Sequence, residues 1–283
     1  MNASGEYFEY FNYSKNIFFS VALIICYIGV PLNGIVIWLL GFQIKRNPFT
    51  ILILNLAIAD FGFLIFMTVY CIDIFTSFIQ PRILQHIFFF LLDVTYINSL
   101  FLLTAISIDR CVAVLFPIWH RCSRPKYLSP AACVILWIFS FLLVGIHYIM
   151  QYLFWNLHLV VTAVLCLPLI TASTVILFIK LCLKSKQMKR GRLLVMILIT
   201  LLCFLILNLP LYIYVFITHF LKEENFFDVV ELNFYLCPSA SLNSSVNPVI
   251  YFLVGRKKRP QSRESIKVIF QRVFREDEAP ETR

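Results

Sequence analysis

Long apolar stretches separated by short charged ones set the pattern of this chain. No Asp, Glu, Lys or Arg occurs between Lys15 and Lys45. Arg46 to Asp73 encloses one charge, Asp60, and Arg82 to Asp109 encloses one, Asp93. Lys126 to Lys180 is charge-free over a length that holds two runs and a short turn. Arg192 to Lys222 and Glu231 to Arg256 are charge-free as well. A helix needs about 20 apolar residues to cross the hydrocarbon of a bilayer. The pattern therefore predicts seven spans, at 17–42, 49–72, 83–113, 130–151, 157–182, 192–218 and 232–254. Residues 17–254 form the membrane domain, with an outer tail at 1–16 and a cytoplasmic tail at 255–283.

The tail has its own periodicity. Ile266, Ile269, Phe270, Val273 and Phe274 recur at helical spacing amid Arg263, Lys267 and Arg272. This predicts an amphipathic helix on the inner membrane surface, drawn there by anionic lipids. The fold class is all-α: a seven-transmembrane helix bundle with a C-terminal amphipathic surface helix.

Composition agrees. The chain is 60% hydrophobic and 14% charged, against roughly 25% charged in soluble domains. Its net charge is +9, but the basic residues lie between apolar runs rather than on a folded soluble face. Nucleic acid is therefore not an expected partner. With the N-terminus outside, only Lys15, Arg82 and Lys222 of the 24 Lys and Arg face outward. That asymmetry predicts a multi-pass protein of the plasma membrane with its C-terminus in the cytoplasm. Sequons at Asn2 and Asn12 then fall outside, where glycosylation occurs. A third, at Asn243, lies inside a span and is expected to stay unused. The polar start and long first run do not resemble a cleavable signal peptide. No metal or haem spacing and no phosphate-cradling loop appears, so no enzyme chemistry and no required cofactor is expected.

Polar residues inside the runs are costly, and so carry the chemistry. Asn33 is expected to bond the backbone of a neighbouring helix. Asp60 sits mid-membrane and cannot remain charged without partners. It is either protonated or paired with a cation. Asn98 and Ser99 lie in span 3, which ends in Asp109-Arg110 and breaks at Phe116-Pro117. The acid can hold the guanidinium near the cytoplasmic mouth until it is released to another helix or partner. Pro168, Pro210 and Pro248 are hinge candidates, with Asn208 and Asn247 beside the last two. His147 and His158 read as satisfied histidines rather than ligands, for no third ligand lies near.

The ordered set Asn33, Asn55 with Asp60, Asp109-Arg110, Trp137, Pro168, Pro210 and Asn247-Pro248 to Tyr251 resembles rhodopsin-like G-protein-coupled receptors, one signature per span. Cys111 after Asp109-Arg110, the run Phe116 to Tyr127, Asn47 to Thr50, Asn243 to Gly255 and Glu264 to Phe274 resemble the Mas-related subfamily, near its founding member. The resemblance implies a receptor that binds an extracellular ligand and activates a heterotrimeric G protein. Asp109, Arg110 and Tyr251 would form the coupling switch; Asn208, Pro210, Asn247 and Pro248 would form the activation hinge. It also implies a sodium ion on Asp60, with Ser99, Asn243, Ser244 and Asn247 around it, as an allosteric modulator.

Departures from the family pattern are specific. Gln85 stands where such receptors usually carry a bridged cysteine. Asn208 replaces the usual aromatic switch, and Ile176 replaces the usual tyrosine of span 5. Around the ligand pocket, Leu92 occupies the point where amine receptors carry an acid, with Asp93 beside it. His147 and Asn156 occupy the places of the acidic pair found in some relatives. With Asp73, these are the ligand-site candidates. The acids on the outer segments exceed the bases, which fits a peptide or small cationic ligand. Orientation in the membrane would produce the same acidic face. A light-driven opsin is excluded, because residues 232–254 contain no lysine. A channel or transporter would show internal repeats or half-helices, and neither occurs. A receptor-like partner subunit or weakly signalling receptor is the remaining alternative.

Overall fold

The computed structural model describes residues 3–125, 127–150, 157–183, 192–216, 229–256 and 265–274. Side chains within 3–12, 157–159, 209–216 and 229–235, and at 121, 183, 192 and 193, are left out. Among the described residues every regular element is helical. They are α1 (Ala3–Trp38), α2 (Pro48–Thr76), α3 (Arg82–Leu115), α4 (Pro117–Cys122), α5 (Leu128–Met150), α6 (Leu157–Leu183), α7 (Arg192–Phe216), α8 (Val229–Gly255) and α9 (Ile266–Phe274). A π-helical turn, Leu39–Gln43, closes α1. Five helices are long and apolar enough to cross a membrane on their described residues alone; α7 and α8 complete the seven.

Local chemistry sets the ends. Asn47 caps α2 reciprocally with Thr50: the Thr50 N–H donates to Asn47 Oδ1 at 2.7 Å, and the Asn47 N–H to Thr50 Oγ1 at 2.8 Å. Pro48 supplies the first helical position, where its missing N–H costs nothing. At the other end Ser77 turns left-handed (φ 48°) and donates its N–H to the Asp73 carbonyl, which stops the helix. Phe116 leaves helical geometry before Pro117, as the sequence suggests, and Pro117 then starts the short α4.

One expectation needs correction. The first helix begins at Ala3 rather than at 17. No proline precedes Pro31, and Glu6 and Glu9 favour a helix N-terminus, so helical backbone continues into the polar tail. In the C-terminal helix the apolar stripe packs on protein except at its start, where Ile266 is 44% exposed. Ile269, Phe270, Val273 and Phe274 are all buried against the ends of α1, α2 and α8. Aromatic neighbours there offer them a protein surface as apolar as lipid.

Close approach of α1 and α8 holds the bundle shut on one side. A Cβ at Gly29 would collide with Ser245 Oγ and sit 2.8 Å from Leu64 Cδ1, so only glycine fits. Small residues at helix contacts let membrane helices pack this way. Toward the end that holds the α2–α3 loop, Phe19, Cys26, Phe63, Leu64, Met67, Cys71 and Cys237 form a separate apolar cluster. All nine cysteines are free thiols.

Gly29→Val should overpack the α1–α8 contact and destabilise the protein by about 1–3 kcal/mol. A lower melting temperature of the detergent-purified protein is the expected reading; an unchanged one would show that the helices part freely.

Candidate functional site

At mid-bundle three helices converge on Asp60, which is fully buried. Ser99 of α3 donates to Oδ1 at 2.6 Å and Asn247 of α8 donates to Oδ2 at 2.9 Å. The Ser244 side chain faces the same carboxylate. No basic side chain joins them in these contacts. Asn33 does what was expected of it, donating to the Ser244 carbonyl of α8 at 3.0 Å and to the Gly29 carbonyl at 3.1 Å. Its Oδ1 is buried with no partner among the described residues. Asn243 is buried on α8 but makes no described hydrogen bond to Asp60.

One turn above Ser99, Tyr96 donates to Asn208 Oδ1 at 3.1 Å, while Asn208 Nδ2 donates to the Phe204 carbonyl. The Tyr96 ring packs on Phe63 with centroids 5.3 Å apart. The α3–α7 contact is thus an aromatic on α3 and an amide on α7. Pro210 lies two residues on, outside the described side chains. Asn55 and Asn98 fasten α5: Trp137 Nε1 donates to Asn55 Oδ1 at 3.3 Å, and Ser140 Oγ donates to Asn98 Oδ1 at 3.4 Å.

At the end of the bundle that carries α9, Asp109 is shared between two guanidinium groups. Arg110 donates to Oδ2 through Nε at 3.1 Å and Nη2 at 2.6 Å. Arg124 pairs with Oδ1 at 2.7 Å. Arg110 is 4% exposed and lies 4.0 Å from the centroid of the Phe49 ring, a cation–π contact. Arg124 also donates to Ser129 Oγ at 2.6 Å and meets His120 Nε2 at 2.8 Å. A guanidinium has no acceptor, so Nε2 must carry a lone pair and the imidazole is neutral. Burial moves the His120 pKa below its ordinary value; Asp109 opposes this, and the two arginines reinforce it. Tyr251 is buried and lines an apolar cavity with Ile53, Leu103, Ile106, Met196 and Thr200.

At the opposite end, an aromatic cleft opens between α2 and α3. Phe66, Tyr70, Phe88, Phe89 and Leu92 line it, with Asp73 and Gln85. Asp73 Oδ1 accepts the Ile79 N–H at 2.9 Å, and Gln85 Nε2 donates to Oδ2 at 3.5 Å. The residue in the place of the bridging cysteine thus ties the α2–α3 loop by hydrogen bonding. Asp93 turns instead toward α5, accepting from the Tyr148 hydroxyl at 3.2 Å. His147 sits edge-on to Tyr148 at 5.6 Å. Leu92 and Asp73 therefore share one cleft, and Asp93 joins a contact with α5. Asn156, Asn2 and the side chain of Asn12 lie outside the described residues.

This arrangement has known counterparts. A model of the 7 transmembrane receptor (rhodopsin family) matches residues 32–155. The Mas-related G-protein coupled receptor member D of Homo sapiens is 36% identical over 304 residues, covering 98% of this chain and 93% of its own. Member A1 of Mus musculus is 35% identical over 269 residues, covering 90% and 87%. The proto-oncogene Mas of Mus musculus is 32% identical over 270 residues, covering 89% and 82%. The chain belongs to the Mas-related branch of the rhodopsin family. It is a G-protein-coupled receptor, and its likeness to Mas is no greater than its likeness to members D and A1.

Several residues of the receptor's polar axis escaped the sequence reading. Tyr96 was visible only as an aromatic three positions before Ser99. Phe49 followed the Asn47-Pro48 cap without any mark of its own. His120 and Arg124 stood four residues apart after the helix break, a spacing at which side chains on one helical turn can meet.

The His120 pKa, below its ordinary value when folded, fixes a pH dependence. The Asp109–Arg124–His120 network is complete at neutral pH. It loses stability as pH falls through about 6.5, where the unfolded imidazole binds a proton that the folded one resists. The melting temperature of purified receptor should fall between pH 7.5 and 5.5, and His120→Gln should lessen that fall. An identical pH profile in the variant would remove His120 from the network's titration.

Proposed function

We propose that this receptor takes a cationic ligand, a basic peptide or a small amine, at its outer face and passes the signal to a heterotrimeric G protein. The observation that carries the reading is the aromatic cleft at Leu92, with one carboxylate, Asp73, at its edge. Ring faces attract cations, and an apolar lining with few polar groups is usual in ligand sites; the closed cleft has room for about 10 Å³, so a ligand fits only as α2 and α3 part there. Tyr70 and Leu92 of the cleft also pack in the cluster that includes Tyr96. From Tyr96 the contacts descend through Ser99 to Asp60 and Asn247, and along α8 to Tyr251. Ligand binding biases a closed-to-open equilibrium. Opening frees Arg110 from Asp109 for the G protein. Exposed Ile118 and Trp119 on α4 add an apolar contact for that partner.

Sodium is the proposed modulator. The donor set suits a hard cation: two carboxylate oxygens and the Ser99 hydroxyl, with Ser244 facing the same carboxylate. When bound, the ion supplies a positive charge that offsets the Asp60 carboxylate. Asn247 turns an N–H to that carboxylate, so it positions the acid. An ion favoured by the closed state lowers agonist affinity by linkage. The N-terminus is proposed to lie outside, supported by the distribution of Lys and Arg. A C-terminal epitope should then stain only after permeabilisation, and staining on intact cells would reverse the topology.

One screen tests the reading. Basic peptides and amines, with uncharged analogues, are applied to cells carrying a promiscuous G-protein readout, in sodium and in an impermeant organic cation. Cationic compounds should activate and their neutral analogues should lose at least roughly fivefold in potency, the equivalent of about 1 kcal/mol of cation–π attraction. Potency should be lower in sodium, and Asp60→Asn should erase that difference. Arg110→Ala should abolish the response at normal surface density. Equal potency of neutral analogues refutes the ligand class. A salt effect that survives in Asp60→Asn refutes the ion site, and full signalling by Arg110→Ala refutes the switch.

A further inference from the structure

We propose that α9 plugs the cytoplasmic mouth of the receptor: while docked it holds Arg110 and Tyr251 in the closed arrangement, and G-protein activation requires it to leave. The proposal begins with the rings. Phe274 lies 5.9 Å from Tyr251 and 6.2 Å from Phe49, centroid to centroid, and Phe270 lies 6.4 Å from Tyr251. Phe49 is also the ring beneath the Arg110 guanidinium. One phenylalanine of the tail therefore joins two residues of the coupling switch, Arg110 through Phe49 and Tyr251 by direct contact.

Burial confirms that this is a packed seat. Ile269, Phe270, Val273 and Phe274 are no more than 3% exposed, and protein atoms alone cover them. Polar ties fix the helix to three separate span ends. Lys267 Nζ donates to Gln43 Oε1 at 2.9 Å, after α1. Asn47 Nδ2 donates to the Phe274 carbonyl at 3.3 Å, before α2. Arg272 Nη1 donates to the Gly255 carbonyl at 2.8 Å, at the end of α8. The helix also touches α7. A body fastened to α1, α2 and α8 and resting on α7 resists any motion that separates those ends.

Gly255 makes the seat possible. A Cβ there would lie 2.6 Å from Ile269 Cγ2 and 2.8 Å from Val273 Cγ2. The displaced helix has somewhere to go. Its apolar stripe, with Lys267, Arg272 and the basic run from Arg256 to Arg259, is the pattern that binds an anionic membrane surface. Docked and membrane-bound α9 use the same four side chains, so the two positions exclude one another. That exclusivity is what a two-state restraint needs.

The test uses the full-length receptor without added ligand. Basal activity per surface receptor is measured by inositol phosphate accumulation through a promiscuous G protein. Gly255→Val pushes α9 from its seat, and Phe274→Ala removes the ring between Tyr251 and Phe49. Each should raise basal activity roughly three- to tenfold, a modest population shift. Release is read separately by thiol labelling. In a background carrying Cys122→Ser and Cys182→Ser, Val273→Cys should label slowly from the cytoplasmic side, and much faster once Gly255→Val is added. Basal activity that stays level or falls in Phe274→Ala shows that α9 supports the open state or is neutral, and overturns the proposal. Fast labelling of Val273→Cys without Gly255→Val overturns it as well, because α9 would not be seated at rest. Should Gly255→Val fail to reach the surface, Phe274→Ala and the resting labelling rate still decide.

Discussion

A carboxylate enclosed by helices and lipid can be satisfied only by what those helices bring to it, and Asp60 imposes this constraint on the whole bundle. Its oxygens are met by Ser99 from α3 and Asn247 from α8. Neither donor can move away without leaving a buried polar group unpaired, at a cost of about 1–3 kcal/mol or more for a charged one. α2, α3 and α8 are therefore registered against each other at one depth. α1 joins them through Asn33, which reaches the backbone at Ser244, and through the absent side chain of Gly29. The apolar remainder packs around an arrangement that polar groups have already aligned.

The α3–α7 contact shows how the receptor departs from the wider rhodopsin-like pattern without losing the link. The pattern expects an aromatic at position 208, where this chain has an asparagine. An asparagine buried there needs its own partners, and Tyr96 and the Phe204 carbonyl provide them. The aromatic has changed sides: the ring now belongs to α3, packed on Phe63. A hydrogen bond is directional where ring packing is broad, so this version of the contact tolerates less rotation of α7.

Legibility from the sequence followed the length of the signal. The seven spans were readable because charge-free runs of membrane length leave few alternatives. Asp60, Asp109 and Arg110 were readable because charge inside such runs is rare and demands a reason. What escaped was contact between elements distant in sequence. Nothing near Phe49 announces that its ring lies between Arg110 and Phe274. The amphipathic stripe of α9 was evident, but periodicity reports only that a face is apolar, not what covers it. Lipid and the underside of the bundle satisfy that face equally well on paper, and the ring cluster at Tyr251 tipped the balance toward protein. The start of α1 was misjudged for a similar reason: polarity marks the edge of the membrane, not the end of a helix.

The loop between α2 and α3 is closed by Asp73, through an N–H of Ile79 and the amide of Gln85, with no covalent bridge. A disulfide rearranges over minutes to hours, whereas loops move in nanoseconds to microseconds. A clasp made of two hydrogen bonds breathes thermally, without an oxidant, a reductant or an isomerase. The aromatic cleft beside it thus has a doorway whose opening rate is set by water competing for one carboxylate.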